Sequence, residues 1–119
     1  MKKDPSIFLF HILECIEKIE IFMKDTTSFE KFLEDSKTQD AVIRNIEIIG
    51  EATKNLPADF KKKFQNIEWK KIASMRDVLI HEYFGVDLRV TYRIAKEDTV
   101  KLKQQISKIL GELKVKKLI

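Results

Sequence analysis

Apolar side chains recur along most of this sequence at steps of three and four, the spacing that lines one face of an α-helix. Asp4-Pro5 reads as an N-cap followed by proline at the first helical position. A stripe of Phe8, Ile12, Cys15, Ile19 and Phe22 follows, and Ile7, Leu9, Phe10 and Leu13 widen it beyond a single core face. A helix that is apolar on more than one side often serves a subunit interface as well as its own core. Cys15, within that face, reads as a small buried hydrophobe. Thr26, Thr27 and Ser28 offer caps for a short helix through Phe29, Phe32 and Leu33, and Ser36 to Thr38 predict a break. A long helix is expected from about Gln39 to Leu56, with the stripe Val42, Ile46, Ile49 and Leu56 and a stop at Pro57. Gly50 sits inside it, where glycine costs about 1 kcal/mol against alanine. Such a glycine usually admits the close approach of another backbone; the alternative is an ordinary surface position.

Pro57 to Asn66 predict a connector with one helical turn. Asn66 is then a candidate N-cap for a helix through Trp69, Ile72, Met75, Val78 and Leu79 that breaks at Gly85. Asp87 caps a short helix through Val90 and Ile94, and a closing helix runs through Leu102, Ile106, Ile109 and Leu113. The sum is a single all-α domain over residues 1–119, an antiparallel bundle of four or five helices.

Composition narrows the classes. Three Gly and two Pro in 119 residues are too few for a β-sandwich or barrel, which needs turn residues every 8–12 positions. One Cys excludes a disulfide framework within the chain. No apolar run approaches the roughly 18–20 residues of a membrane span, and the N-terminus lacks the features of a signal peptide. A cytoplasmic location with no membrane association is expected. The net charge of +4 is uneven: residues 1–60 hold 8 Lys/Arg and 12 Asp/Glu, residues 61–119 hold 15 and 7. That asymmetry allows a polyanion to meet the C-terminal half, although a Lys-rich solvated face produces the same count.

Candidate chemistry concentrates in Met75-Arg76-Asp77-Val78-Leu79-Ile80-His81-Glu82-Tyr83. Two His and one Cys offer no zinc spacing, and there is no Gly-rich phosphate loop, nucleophile elbow or HExxH. Any catalysis is expected to be independent of metals and cofactors and to use Arg and His. Histidine exchanges protons near neutral pH, and arginine grips phosphate oxygens through a planar fork. On a continuous helix His81 falls about 140° around from Arg76, whereas Tyr83 returns nearly to the face of Arg76. Convergence of Arg76 and His81 therefore needs a helix break before His81, or a two-fold partner that brings its own pair alongside. The bland alternative pairs Arg76 with a carboxylate on a neighbouring helix and leaves His81 and Tyr83 to cap and pack. His11, among apolar residues of the first helix, reads as a structural or interface histidine.

The array Arg76-x4-His81-x-Tyr83 resembles the signature of the HepT toxins, a branch of the all-helical HEPN superfamily. Supporting matches span about residues 4–110: Asp40-Ala41-Val42 with Arg44, Ile49-Gly50-Glu51-Ala52, Trp69, Met75-Arg76, Asp87 and Val90. Tyr92 stands where tryptophan is expected, a departure that touches no catalytic group. The resemblance implies a HEPN-like homodimer whose Arg/His motifs meet in an interfacial cleft. It also implies a metal-independent endoribonuclease acting on RNA through attack of the 2′-hydroxyl. His81 would be the general acid/base, Arg76 would hold the scissile phosphate, and Asp77 would orient one of them. Family members accompany a minimal nucleotidyltransferase antitoxin that attaches AMP to the tyrosine matching Tyr83, in assemblies that can exceed a dimer. Gly50 and Glu51 also belong to the family pattern: Gly50 reads as close helix packing, and Glu51 as a packing position too, with a place in the cleft or a pairing with Lys as its alternatives. A competing function keeps the same fold as a non-catalytic partner that binds nucleotide or substrate for a nucleotidyltransferase; His81→Ala separates the two.

Overall fold

A computed structural model of the chain describes residues 4–81 and 85–118. The first helix, α1 (Pro5–Phe22), starts where the Asp4 side chain accepts the Ser6 N–H and Pro5 takes the first turn. Its buried line is Leu9, Ile12, Cys15, Ile16 and Ile19. The expected stripe shifts at both ends, since Phe8 is half-buried and Phe22 is exposed, and Met23 closes the line instead. Ser28 caps the five-residue α2 (Phe29–Leu33) by accepting the Lys31 N–H.

Ser36 to Thr38 do not form a break. Asp35 accepts both the backbone N–H and the hydroxyl of Thr38, so α3 (Ser36–Lys54) begins at the residue after this cap. Val42, Ile46, Ile49 and, beyond the helix end, Leu56 are all buried as the spacing predicts. Along α1 and α3, Phe8 and His11 share a groove with Glu51 and Asn55, while Cys15 lies within electrostatic reach of Arg44; the two helices therefore run antiparallel. The connector after Pro57 contains α4 (Ala58–Lys63).

The segment expected as one helix from Asn66 to Gly85 is divided. Asn66 does not cap it; Glu68 stands at the cap position without a side-chain bond. The helical stretch splits at Ser74 into α5 (Trp69–Ala73) and α6 (Met75–Leu79). The Ser74 hydroxyl donates back to the Lys70 carbonyl at 2.7 Å, the local competition that disfavours serine within helices. Helix α6 ends at Leu79 and not at Gly85, because β-branched Ile80 is extended and starts β1 (Ile80–His81). This strand pairs antiparallel with β2 (Gly85–Val86), a two-stranded ladder that departs from a purely helical plan. Gly85 has φ +76°, a conformation natural to glycine. The Asp87 N–H donates to the Leu79 carbonyl at 2.6 Å, satisfying an orphan acceptor at the α6 terminus.

Asp87 caps α7 (Leu88–Arg93) through the N–H groups of Arg89 and Val90, as expected. A π-helical turn, Ile94–Asp98, joins α7 to α8 (Thr99–Leu118) without a break in the chain of helical residues. Buried residues from these elements form one hydrophobic cluster. A bond of 2.8 Å from Lys103 to Glu20 ties α8 to α1 and, as its largest cause, raises the Lys103 ammonium above its ordinary value. Gly50 packs as read: a Cβ there would lie 3.1 Å from the Ala73 carbonyl oxygen, so α3 and α5 touch backbone to side-chain-free backbone. Among the described residues no helix is long and apolar enough to cross a membrane.

Candidate functional site

Arg76 occupies the first turn of α6, two residues after the Ser74 joint that separates it from α5. Its Nε lies 3.4 Å from Glu47 Oε2 on α3, while its Nη1 is 3.9 Å from Asp77 Oδ1. The carboxylate pairing expected of a structural arginine is therefore present, but it uses one edge of the guanidinium. Five N–H donors on a rigid plane leave other donors for a phosphate. The Arg76 side chain is 53% exposed and that of Glu47 is 31% exposed, so an incoming anion reaches the guanidinium without rearranging the core.

Arg76 lines a groove of about 390 Å³ between α1 and α3, together with His11, Arg44, Glu47 and Glu51. Two of these refine the sequence reading. His11 is exposed and faces the groove, so it is not a structural histidine of the core. Glu51 is also exposed and lines the groove, which fits the alternative of a place in the cleft and not the preferred packing role. Glu47 lies outside the apolar stripe of α3. The polar stripe beside that one, Arg44, Glu47, Glu51 and Asn55, follows the same three- and four-residue steps and marks the groove face.

The end of α6 at Leu79 places the backbone of His81 in an extended strand paired with Gly85. That is the break which a shared Arg76–His81 site requires on one chain. The His81 side chain and Tyr83 lie outside the described residues. Asp77 is 65% exposed, and it is a more distant partner for Arg76 than Glu47 is. Among the described residues no group of three or more His, Cys, Asp or Glu is gathered to hold a metal ion.

Cys15 is buried on α1, and burial pushes its thiol above the ordinary value. It is a packing residue that does not line the groove, as its place in the apolar stripe implies.

A family profile described as ribonuclease HepT-like matches residues 12–109. The chain is 55% identical over 113 residues to a protein of Methanocaldococcus jannaschii named "Gamma-glutamylcyclotransferase and putative RNase", which covers 95% of this chain and 50% of that protein. The chain thus spans half the length of that relative. It is 51% identical over 109 residues to a "Probable ribonuclease HepT" of Thermococcus cleftensis, covering 92% of this chain and 98% of the relative. No solved structure matches the chain.

Proposed function

From the premise that this chain belongs to the HepT-like ribonuclease family, we propose that it is an endoribonuclease and the toxin half of a toxin–antitoxin pair. The observation that carries the reading is the exposed Arg76 guanidinium, paired with Glu47, three residues before an α6 terminus after which the backbone of His81 is extended. Arg76 holds the scissile phosphate and neutralises the charge that grows on it in the transition state. His81 takes the proton from the 2′-hydroxyl as that oxygen attacks phosphorus, and a protonated group returns one to the departing 5′-oxygen. The P–O5′ bond breaks as the P–O2′ bond forms, leaving a 2′,3′-cyclic phosphate. DNA lacks the nucleophile and resists.

The motif supplies one histidine per chain, and the two proton transfers call for two groups. A two-fold dimer provides the second copy of the motif. Support comes from large apolar side chains that stand in water on α1 and α6, the helices of His11 and Arg76: Ile7 is 56% exposed, Phe10 58% and Val78 47%. The reading includes control by a nucleotidyltransferase antitoxin, as the resemblance to the HepT toxins implies, with Tyr83 as the AMP acceptor seven residues after Arg76. An AMP phosphate on that residue competes with substrate phosphate for the arginine.

The test is cleavage of total RNA in EDTA by protein whose intact mass shows no adenylyl group, beside Arg76→Ala and His81→Ala. Cleavage by the parent and its loss in both variants supports the reading. Absence of cleavage by unmodified protein points to the non-catalytic partner of a nucleotidyltransferase.

A further inference from the structure

A second concave surface lies on the opposite side of the β1–β2 ladder in sequence, where α7 and the π-helical turn pack against α2. It encloses about 630 Å³, within the ~300–1,000 Å³ of small-ligand sites and suited to a nucleotide rather than a duplex. Its composition differs from that of a solvated helix face. Arg89, Arg93 and Lys96 follow one another at steps of four and three along one side of the helical rod, and half-buried Phe29 and Tyr92 stand among them.

The cations are folded onto the rings. The Arg89 guanidinium carbon is 4.4 Å from the Phe29 centroid, and Lys96 Nζ is 5.8 Å from the Tyr92 centroid. Phe29 and Tyr92 meet edge to face at 5.6 Å, and Tyr92 is braced from behind by buried Phe32 at 5.6 Å. The aromatic pair is therefore rigid on its inner side and capped by flat or compact cations on its outer side. Two carboxylates share the cleft. Asp87 is turned to the N–H groups that open α7, which leaves Glu97 against three cations. The π turn itself, closed by the Thr99 N–H on the Ile94 carbonyl, falls at Lys96, and π turns are frequent at functional positions.

We propose that this cleft is a stacking subsite for an unpaired nucleotide of an RNA strand. An unpaired base stacks on the outer face of the Arg89 guanidinium, which the Phe29 ring supports from within, and the flanking phosphates meet Arg93 and Lys96. Base-paired RNA hides those faces. In the chain, α7 follows α6, the helix of Arg76, and its start is joined to the end of α6 where the Asp87 N–H donates to the Leu79 carbonyl. The subsite's role in cleavage rests on the ribonuclease reading, but its binding does not.

The test uses the full chain carrying His81→Ala, so that RNA stays intact, and a fluorescently labelled single-stranded oligouridylate followed by anisotropy across a salt series. A second probe with 2-aminopurine reports stacking through quenching. Arg93→Ala with Lys96→Ala is expected to flatten the dependence of log Kd on log salt by about 1.4, at roughly 0.7 per cation lost on a single strand. Arg89→Lys keeps the charge and removes the plane, so affinity and quenching fall, on the order of tenfold in Kd, while the slope holds. These residues are exposed, and thermal melting shows that the variants fold. Parent-like affinity and slope in folded variants overturn the subsite, as does failure of the parent to bind the oligonucleotide. RNA binding that depends on these residues in a protein whose parent never cleaves would sink the ribonuclease reading and leave the subsite standing.

Discussion

Replacing Gly50 with alanine tests how α5 and the Ser74 joint that follows it are held. The added Cβ would lie 3.1 Å from the Ala73 carbonyl oxygen and 3.6 Å from that of Ile72. Carbon–oxygen contacts settle near 3.3–3.6 Å, so the Ala73 carbonyl has to retreat by about 0.2–0.5 Å. No rotamer change relieves the contact, because the neighbour is backbone. Two terms oppose each other. Alanine in place of a mid-helix glycine contributes about 1 kcal/mol to α3. Overpacking at a tight contact costs about 1–3 kcal/mol. The expected net is a destabilisation of about 1 kcal/mol, which in a domain of this size lowers Tm by about 4 °C. Calorimetry or circular dichroism melting measures it. Ala73 precedes Ser74, Met75 and Arg76, so the same displacement reaches the guanidinium and RNA cleavage is expected to fall as well. A variant that melts about 4 °C higher than the parent would refute the reasoning, since α5 would then yield freely to the methyl group.

Glu47→Gln keeps the shape of the Arg76 partner and removes its charge. Because the pair is solvent-accessible it contributes below about 1 kcal/mol to stability, so Tm should hold while kcat for RNA cleavage drops. An unchanged kcat would deny Glu47 its positioning role. Burial raises the Cys15 thiol, so the reactive thiolate is suppressed near neutral pH; iodoacetamide should label the protein only after denaturant is added, and rapid labelling of the native chain contradicts the packing. Asp35 is held below the usual carboxylate range by the Thr38 hydroxyl and then by the Thr38 N–H. Its contribution is therefore present above the ordinary carboxylate pKa and fades as pH falls through the lowered folded value. Asp35→Ala should lower Tm at pH 7 and converge on the parent in strong acid, whereas a constant deficit would place the effect elsewhere.

The helical character and most of the core were legible because apolar spacing is set by burial on one face. Val42, Ile46, Ile49, Leu102, Ile106 and Ile109 are all buried where the pattern puts them. The boundaries that went wrong were decided by side chains competing for backbone. Asp35 began α3 three residues early, and Ser74 split a helix whose apolar period continues unbroken across it. The end of α6 depended on Ile80 and on a bond between residues eight apart in the chain, Leu79 and Asp87, which no local pattern carries. The Arg76 motif was visible as residue types at a spacing. Its partner Glu47 was not, because that pairing joins α6 to α3 through tertiary packing. The cleft beside α7 was hidden for the same reason: Phe29 and Tyr92 are far apart in the chain and meet only when α2 and α7 are brought together.

The central claim is RNA cleavage by Arg76 and His81 through the 2′-hydroxyl, and the ends of the products test it most directly. A defined single-stranded RNA and its counterpart with every 2′-hydroxyl replaced by hydrogen are incubated in EDTA with protein free of adenylyl groups, and the products are resolved by mass spectrometry. The account predicts 2′,3′-cyclic phosphate and 5′-hydroxyl ends from the RNA, none from the deoxy strand, and none from Arg76→Ala or His81→Ala. Cleavage of the deoxy strand, or products with 5′-phosphate ends, would contradict it.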